Sequence, residues 1–198
     1  MALITASEAR GYVRTLTGTA EDPIIDTIIG RAGGLMAAFC GFPAESGAPT
    51  MESATYTHYL DGPSNPREIR LPVLPVTSVT SIYDDPLLDY GASTLVDSGD
   101  YTLYGDEGLV VLNNTASWSW NTARRTIKVT YVAGWSTAPN AVKHACALQA
   151  AHIFKHRDAI GSSSLSKAGG SANLSALGLL PEVRDALAPY RLTLSWVG

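Results

Sequence analysis

The residues best suited to chemistry cluster in one stretch, TYVAGWSTAPNAVKHACALQAAHIFKHRD, running from Thr130 to Asp158. It carries His144, His152 and His156, three of the four histidines in the chain. His152 and His156 stand four residues apart, on one face of a helix, which is the spacing of a metal-binding pair. A zinc-protease helix also needs a Glu beside the first His as general base, and here Ile153, Phe154 and Lys155 fill the gap. His144 falls roughly 80° round the helix from His152 and about 12 Å along it, so one ion cannot take all three. Lys155, His156 and Arg157 crowd the last turn, where positive charge suits the helix dipole by ~0.3–1 kcal/mol each. The stretch therefore reads as a structural helix with a basic end. A metal hydrolase built on His152 and His156 is the weakest alternative.

Other chemical signatures are missing. There is no nucleophile elbow, no phosphate-binding glycine loop and no dinucleotide fingerprint. Asp84, Asp85 and Asp89 in DDPLLD lack the spacing of a calcium loop and read as a solvated turn. Asp61 and Asp100 also fall at turns, where carboxylates cap backbone groups. The two cysteines, Cys40 and Cys146, lie in helical patterns without a CxxC partner and read as buried thiols. No catalytic residue, metal or cofactor is expected, and the chain is read as a non-enzyme.

The elements that would position these residues fall into three blocks. In the first, Thr5 and Glu8 make a capping-box pattern ahead of SEARGYVRTL. A second helix, DPIIDTIIGRAGGLMAAFC, opens with Asp22 as N-cap and Pro23 at its first position. Gly30, Gly33 and Gly34 weaken it by roughly 1 kcal/mol each and are best tolerated where another backbone packs close. Residues 51–135 change to short β-branched and aromatic runs divided by turn signals, too closely spaced for crossover helices, so the sheet is antiparallel. There Trp118 and Trp120 fall on one side of an extended segment, as core packing or as a contact patch for a partner loop. The third block is the histidine helix, capped by Ser136 or Thr137 and ending near Arg157. A Gly/Ser/Ala-rich segment follows, mobile or ordered by partners, and then LLPEVRDALAPYRLTLSWVG, with a short helix from Pro181 to Pro189.

The fold class predicted is α+β. Residues 1–50 and 136–158 form a small helical bundle of two N-terminal helices and one long one, and residues 51–135 an inserted antiparallel β domain. Residues 159–198 form a flexible linker and an extended C-terminal helix or arm. The 198 residues are 45% hydrophobic and only 16% charged, a folded composition with an under-charged surface that partners can cover. No run approaches the roughly 18 apolar residues of a membrane helix, and no signal peptide is read. Net charge is −4, spread unevenly. Between Arg70 and Arg124 there is no Lys or Arg, while Asp84, Asp85, Asp89, Asp97, Asp100, Asp106 and Glu107 all lie there. Such a segment does not grip phosphate.

The order of elements resembles that of the head–tail connector, or adaptor, proteins of tailed bacteriophages and gene transfer particles. LITASEARGYVR and EDPIIDTIIGRAGGLMAAFCGF resemble the family's first two helices. LPVLPVTSVTSIYDD resembles the strand after an apolar-Pro segment, and IKVTYVAGWSTAPNAVKHACALQAAHIFKHRD the last strand, Gly-aromatic turn and long helix. LLPEVRDALAPYRL resembles the C-terminal motif.

The resemblance implies a structural virion protein of the neck, assembled in the bacterial host cytoplasm. It implies a homo-oligomeric ring, typically a dodecamer, under the portal protein. The ring extends the channel for double-stranded DNA, without sequence-specific binding, and docks a stopper or tail protein; no membrane partner is implied. A tail-terminator or stopper ring, or a β-domain module binding carbohydrate or protein through Trp118 and Trp120, are the alternatives. On this reading the portal or subunit interface comprises Leu180, Pro181, Val183, Arg184, Leu187, Pro189, Tyr190, Arg191 and Trp196. Some of the seven acids between Asp84 and Glu107 face the channel, where basic walls would hold the passing duplex. The arm is expected to be dispensable for folding, and the isolated chain to be monomeric until it meets its partner.

Overall fold

The computed structural model describes residues 3–13, 18–44, 49–157, 164–167, 170–173 and 178–192. It divides into two compact units: residues 1–40 with 137–191, and residues 41–136 with 192–198. The mixture of helices with antiparallel sheet is α+β.

The first unit is helical. Helix α1 (Ala6–Arg10) starts on the expected capping box: the Glu8 amide donates to Thr5 Oγ1 at 3.2 Å, and the Thr5 amide to Glu8 Oε2 at 2.7 Å. Helix α2 (Asp22–Cys40) turns Ile25, Ile28, Ile29, Ala32, Met36, Ala37 and Cys40 inward. Helix α3 (Asn140–His156) faces it with Val142, Ala145, Cys146, Ala150 and Phe154. Alanines on α3 let the helices approach closely, so burial is distributed over many small contacts. Arg10 to Asp22 at 2.6 Å, Arg157 to Glu21 at 2.9 Å and Lys143 to Glu8 at 3.9 Å tie the helix ends.

Three details differ from the sequence reading. Asp22 is the first helical residue, and its carboxylate takes Arg10 instead of capping. Helix α3 starts after Pro139 with no side-chain cap, because the fixed proline geometry already turns the chain into the helix. By length and composition α2, at 19 residues, is apolar enough to cross a membrane; the inward face just named accounts for part of that apolarity.

The second unit holds two three-stranded antiparallel sheets. In one, β6 (Ile127–Ala133) lies between β1 (Ala54–Leu60) and β3 (Val76–Asp84). Tyr56 pairs with Tyr131, and Ile82 with Val129; β6 buries every second residue, and β1 and β3 add Tyr56, Leu60, Val76 and Ile82. In the other, β5 (Leu109–Leu112) lies between β2 (Glu68–Arg70) and β4 (Tyr101–Tyr104). Arg67 holds the segment after β5: its guanidinium donates to the carbonyls of Leu112, Asn113, Ala116 and Trp118 at 2.6–3.3 Å. One long side chain thus bridges four carbonyls at and just beyond the end of β5.

Part of the Gly/Ser-rich segment forms a hairpin, β7 (Ser164–Lys167) with β8 (Gly170–Asn173), where a linker without secondary structure was expected. Helix α4 (Pro181–Leu187) packs on α3 and α2 within the helical unit, instead of extending as an arm.

The glycines separate into two kinds. Gly134, just after β6, has φ +97°, and a Cβ there would stand 2.3 Å from the Glu52 carbonyl oxygen. Gly30 on α2 has nothing within 4 Å of its missing Cβ, so close packing does not account for it. Replacing Gly30 with Ala is expected to raise the stability of the isolated chain by up to about 1 kcal/mol. Gly134→Ala is expected to lower it by more than that. Urea unfolding of the two variants beside the parent chain measures both signs.

Candidate interaction surfaces

The histidines do not converge. His144 Nδ1 lies 2.8 Å from the Tyr12 hydroxyl, on the exposed side of α3. The rings of His152 and His156 sit 4.5 Å apart on the same helix, as their spacing required. Among the described residues no group of three or more His, Cys, Asp or Glu could hold a metal ion. Nor do His152 Nε2 and His156 Nδ1, both buried, find a hydrogen-bond partner there. Burial, and then the neighbouring His156, push the His152 imidazole below its ordinary value. The buried thiol of Cys40 is pushed up to about 11 by burial, against the pull of Arg191, so it is inert at neutral pH.

The tryptophans are structural. Trp120 is 1% exposed, and Trp118 meets it edge-on at 5.0 Å while its indole N–H donates to Asp100 Oδ2 at 3.0 Å. Trp120 is thus excluded as a contact for a partner loop, and only part of Trp118 reaches the surface.

The acids divide the same way. Asp85 is buried, and its carboxylate accepts from the amides of Leu87, Asp89 and Tyr90 at 2.7–3.1 Å. Burial pushes this carboxyl up, but those amides and the Thr94 hydroxyl outweigh it and hold it below the usual range. Asp84, raised by burial, accepts from the Asn121 amide at 3.0 Å. Asp97 accepts from the Gly99 amide, and Asp100 is taken by Trp118. Asp85 is therefore corrected from a channel-facing acid to a buried acceptor that holds a loop, while Asp84 and Asp100 are half-buried and each gives one oxygen to a neighbouring donor. Asp89, Asp97, Asp106 and Glu107 remain exposed.

The C-terminal residues need a similar correction. Val183 and Leu187 are 0% exposed, covered by the chain's own helical unit. Gln149, buried at 0%, fastens that helix from α3: its Oε1 accepts from the Leu180 amide at 3.0 Å, and its Nε2 donates to the Gly178 carbonyl at 3.2 Å. Pro181, Arg184, Pro189 and Arg191 are exposed, and Leu180 and Tyr190 half-buried. Trp196 lies outside the described residues.

Sequence reasoning missed two exposed apolar patches. One is the tip of the loop after β3, where Leu87 is 79%, Leu88 47% and Leu95 50% exposed. The three amides on Asp85 fix this loop, and Leu88 and Tyr90 take φ of +65° and +50°, a conformation costly for side chains of their size. The other is the outer face of α2, with Ile24 at 48% and Leu35 at 43%. Two leucines between acids in DDPLLD were the visible signal for the first; the second is hidden because α2 is apolar nearly all round.

With this geometry in place, the matches to known proteins can be read. The head completion protein family model matches residues 2–193. The chain belongs to the head completion protein family. Its fold is that of chains in solved gene transfer agent (GTA) particles. A chain in the neck of an empty GTA particle, computed with C6 symmetry, has a TM-score of 0.60 at 18% identity, over 99% of this chain and 93% of that one. A chain in the virion of a native GTA particle gives 0.59 at 19%, over 99% and 93%. One in the neck of a native GTA particle, computed with C12 symmetry, gives 0.57 at 16%, over 98% and 91%. No curated protein sequence matches. The head–tail connector resemblance therefore holds.

Two outcomes follow from these surfaces. Leu187→Ala is expected to cost ~2–5 kcal/mol in urea unfolding, as for any filled core position, and to make the chain beyond residue 178 protease-sensitive. Removing residues 178–198 is likewise expected to destabilise the helical unit rather than leave it intact. The second outcome concerns pH. A histidine whose folded value is depressed contributes stability above its unfolded value, and that contribution is lost as pH falls through the folded value. The thermal midpoint is therefore expected to drop as pH falls from 7 through the range below 6.5, and His152→Gln to flatten that drop.

Proposed function

We propose that the chain is the adaptor of a head–tail neck: a structural ring subunit that seats under the portal and receives the stopper or tail. The observation that carries this reading is a family match spanning nearly the whole chain together with a whole-chain fold likeness to neck subunits. A ring of twelve copies accords with the C12 symmetry used for one such neck, as a multiple of six does with the C6 symmetry used for another.

The chain's own features agree with a structural role. The half-buried Arg67 and the buried Asp85 and Gln149 are used to hold loops and the start of a helix. The reading gives a place to two of the exposed groups. Pro181, Arg184, Pro189 and Arg191, beside the buried anchor Leu187, form the surface offered to the portal, where arginines can pair with carboxylates. Asp106 and Glu107, at the exposed turn between β4 and β5, belong to the channel wall, where negative charge lets the duplex pass without being held. The subunit acts in the virion neck after assembly in the host cytoplasm.

Particles made without this chain are expected to be DNA-filled heads lacking tails, seen by electron microscopy, and supplying the chain in trans should restore joining. Arg184→Glu with Arg191→Glu should keep the fold by circular dichroism while reducing joined particles at least tenfold. Normal joining without the chain would refute the adaptor role.

A further inference from the structure

The outer face of α2 is a row no contact within the helical unit explains. Ile24, Arg31 and Leu35 lie within about 40° of one another round the helix, over roughly 16 Å of its length. All three are exposed, with the exposed small residues Thr27 and Ala38 beside them. The Arg31 guanidinium has no hydrogen bond or ion pair among the described residues. The row is apolar, then cationic, then apolar.

The loop tip of the β unit has the opposite sign. Leu87 and Leu88 project beside the exposed Asp89, whose carboxylate also has no partner among the described residues. The tip is preformed, because the buried Asp85 carboxylate holds the amides of residues 87, 89 and 90. A preformed tip loses little conformational freedom on docking, so most of its contact energy is retained.

A closed ring of identical subunits joins head to tail, and each chain must carry two different, mutually complementary patches. We propose that the Leu87–Leu88–Asp89 tip of one copy docks on the Ile24–Arg31–Leu35 face of α2 in the next, with Asp89 paired to Arg31 and the leucines over Thr27 and Ala38. This rests on the ring reading above and names the contact that closes the ring. The occupant is a second copy of this chain because the two patches match in apolar character and carry single charges of opposite sign.

The test uses particles assembled with the full chain. Cys40 and Cys146 are 1% and 0% exposed, so introduced cysteines are the accessible ones. In necks carrying Thr27→Cys together with Leu87→Cys, a short bismaleimide is expected to give a ladder of chain multiples on a denaturing gel, and each single variant monomer only. Arg31→Glu or Asp89→Arg alone should reduce chain incorporated into necks about tenfold or more, and the two together should restore it. Wild-type rings present beside a doubly substituted chain that stays monomeric would overturn the docking and leave the ring reading standing. Cross-linking of the Leu87→Cys single variant to a different protein would also overturn it, as would unrescued charge reversal. Absence of the wild-type chain from necks would remove the ring reading, and the docking with it.

Discussion

Thirty consecutive residues, Ile127–His156, supply the central strand of one sheet in the β unit and the helix at the centre of the helical unit. Strand β6 carries hydrogen-bond ladders on both edges, to β1 and to β3, so each of its seven residues is fixed in register from two sides. Seven residues later the same chain is α3, against which α1, α2 and α4 pack. The passage between them turns at Gly134, whose φ of +97° and close approach to the Glu52 carbonyl admit no side chain. A strand with two partners cannot slip by one residue without moving its apolar set to the wrong face. The β core is thereby fixed by β6, and the helical core by the helix that follows.

Outside that axis, order depends on a few polar side chains, the half-buried Arg67 and the buried Asp85 and Gln149. Arg67 satisfies four carbonyls after β5, Asp85 three amides after β3, and Gln149 one amide and one carbonyl before α4. Loops of this kind carry backbone groups that water would otherwise satisfy, and a single side chain with several donors or acceptors replaces it. These residues were the ones most open to misreading. A carboxylate in an acidic stretch looks solvated until the structure shows three amides aimed at it. A glutamine in an alanine-rich helix gives no sign that it grips a segment some thirty residues away.

What was legible in the sequence was what depends on local patterns. The capping box at Thr5 and Glu8, the β-branched run IKVTYVA and the proline that opens α4 each act within a few residues, and each formed as read. The failure of the histidines to converge was legible too, since it follows from helix geometry alone. What was not legible depended on which face meets what. Val183 and Leu187 were read as partner contacts because a seven-residue helix is marginal alone; α3 and α2 supply the missing partner. Trp120 was left open between core and contact patch, and burial at 1% decides for the core. The head completion family match could be anticipated only from the order of elements, since no single motif carries it.

The helical unit is discontinuous in sequence, and this bears on how the chain is made. Helices α1 and α2 leave the ribosome about a hundred residues before α3, the helix against which Ile25, Ile28, Ile29 and Met36 are buried. At the usual 5–20 residues per second that gap lasts on the order of ten seconds. During it α2 is a nascent helix with only the short α1 to cover its apolar face, the kind of segment that holding chaperones bind. The sheets of the β unit, all encoded between the two halves, can fold first and shorten the stretch of free chain that separates those halves. Closing so long a loop costs little more than closing a short one once the insert has its own structure. The order of synthesis therefore makes the inserted sheets a folding aid for the helices that precede them.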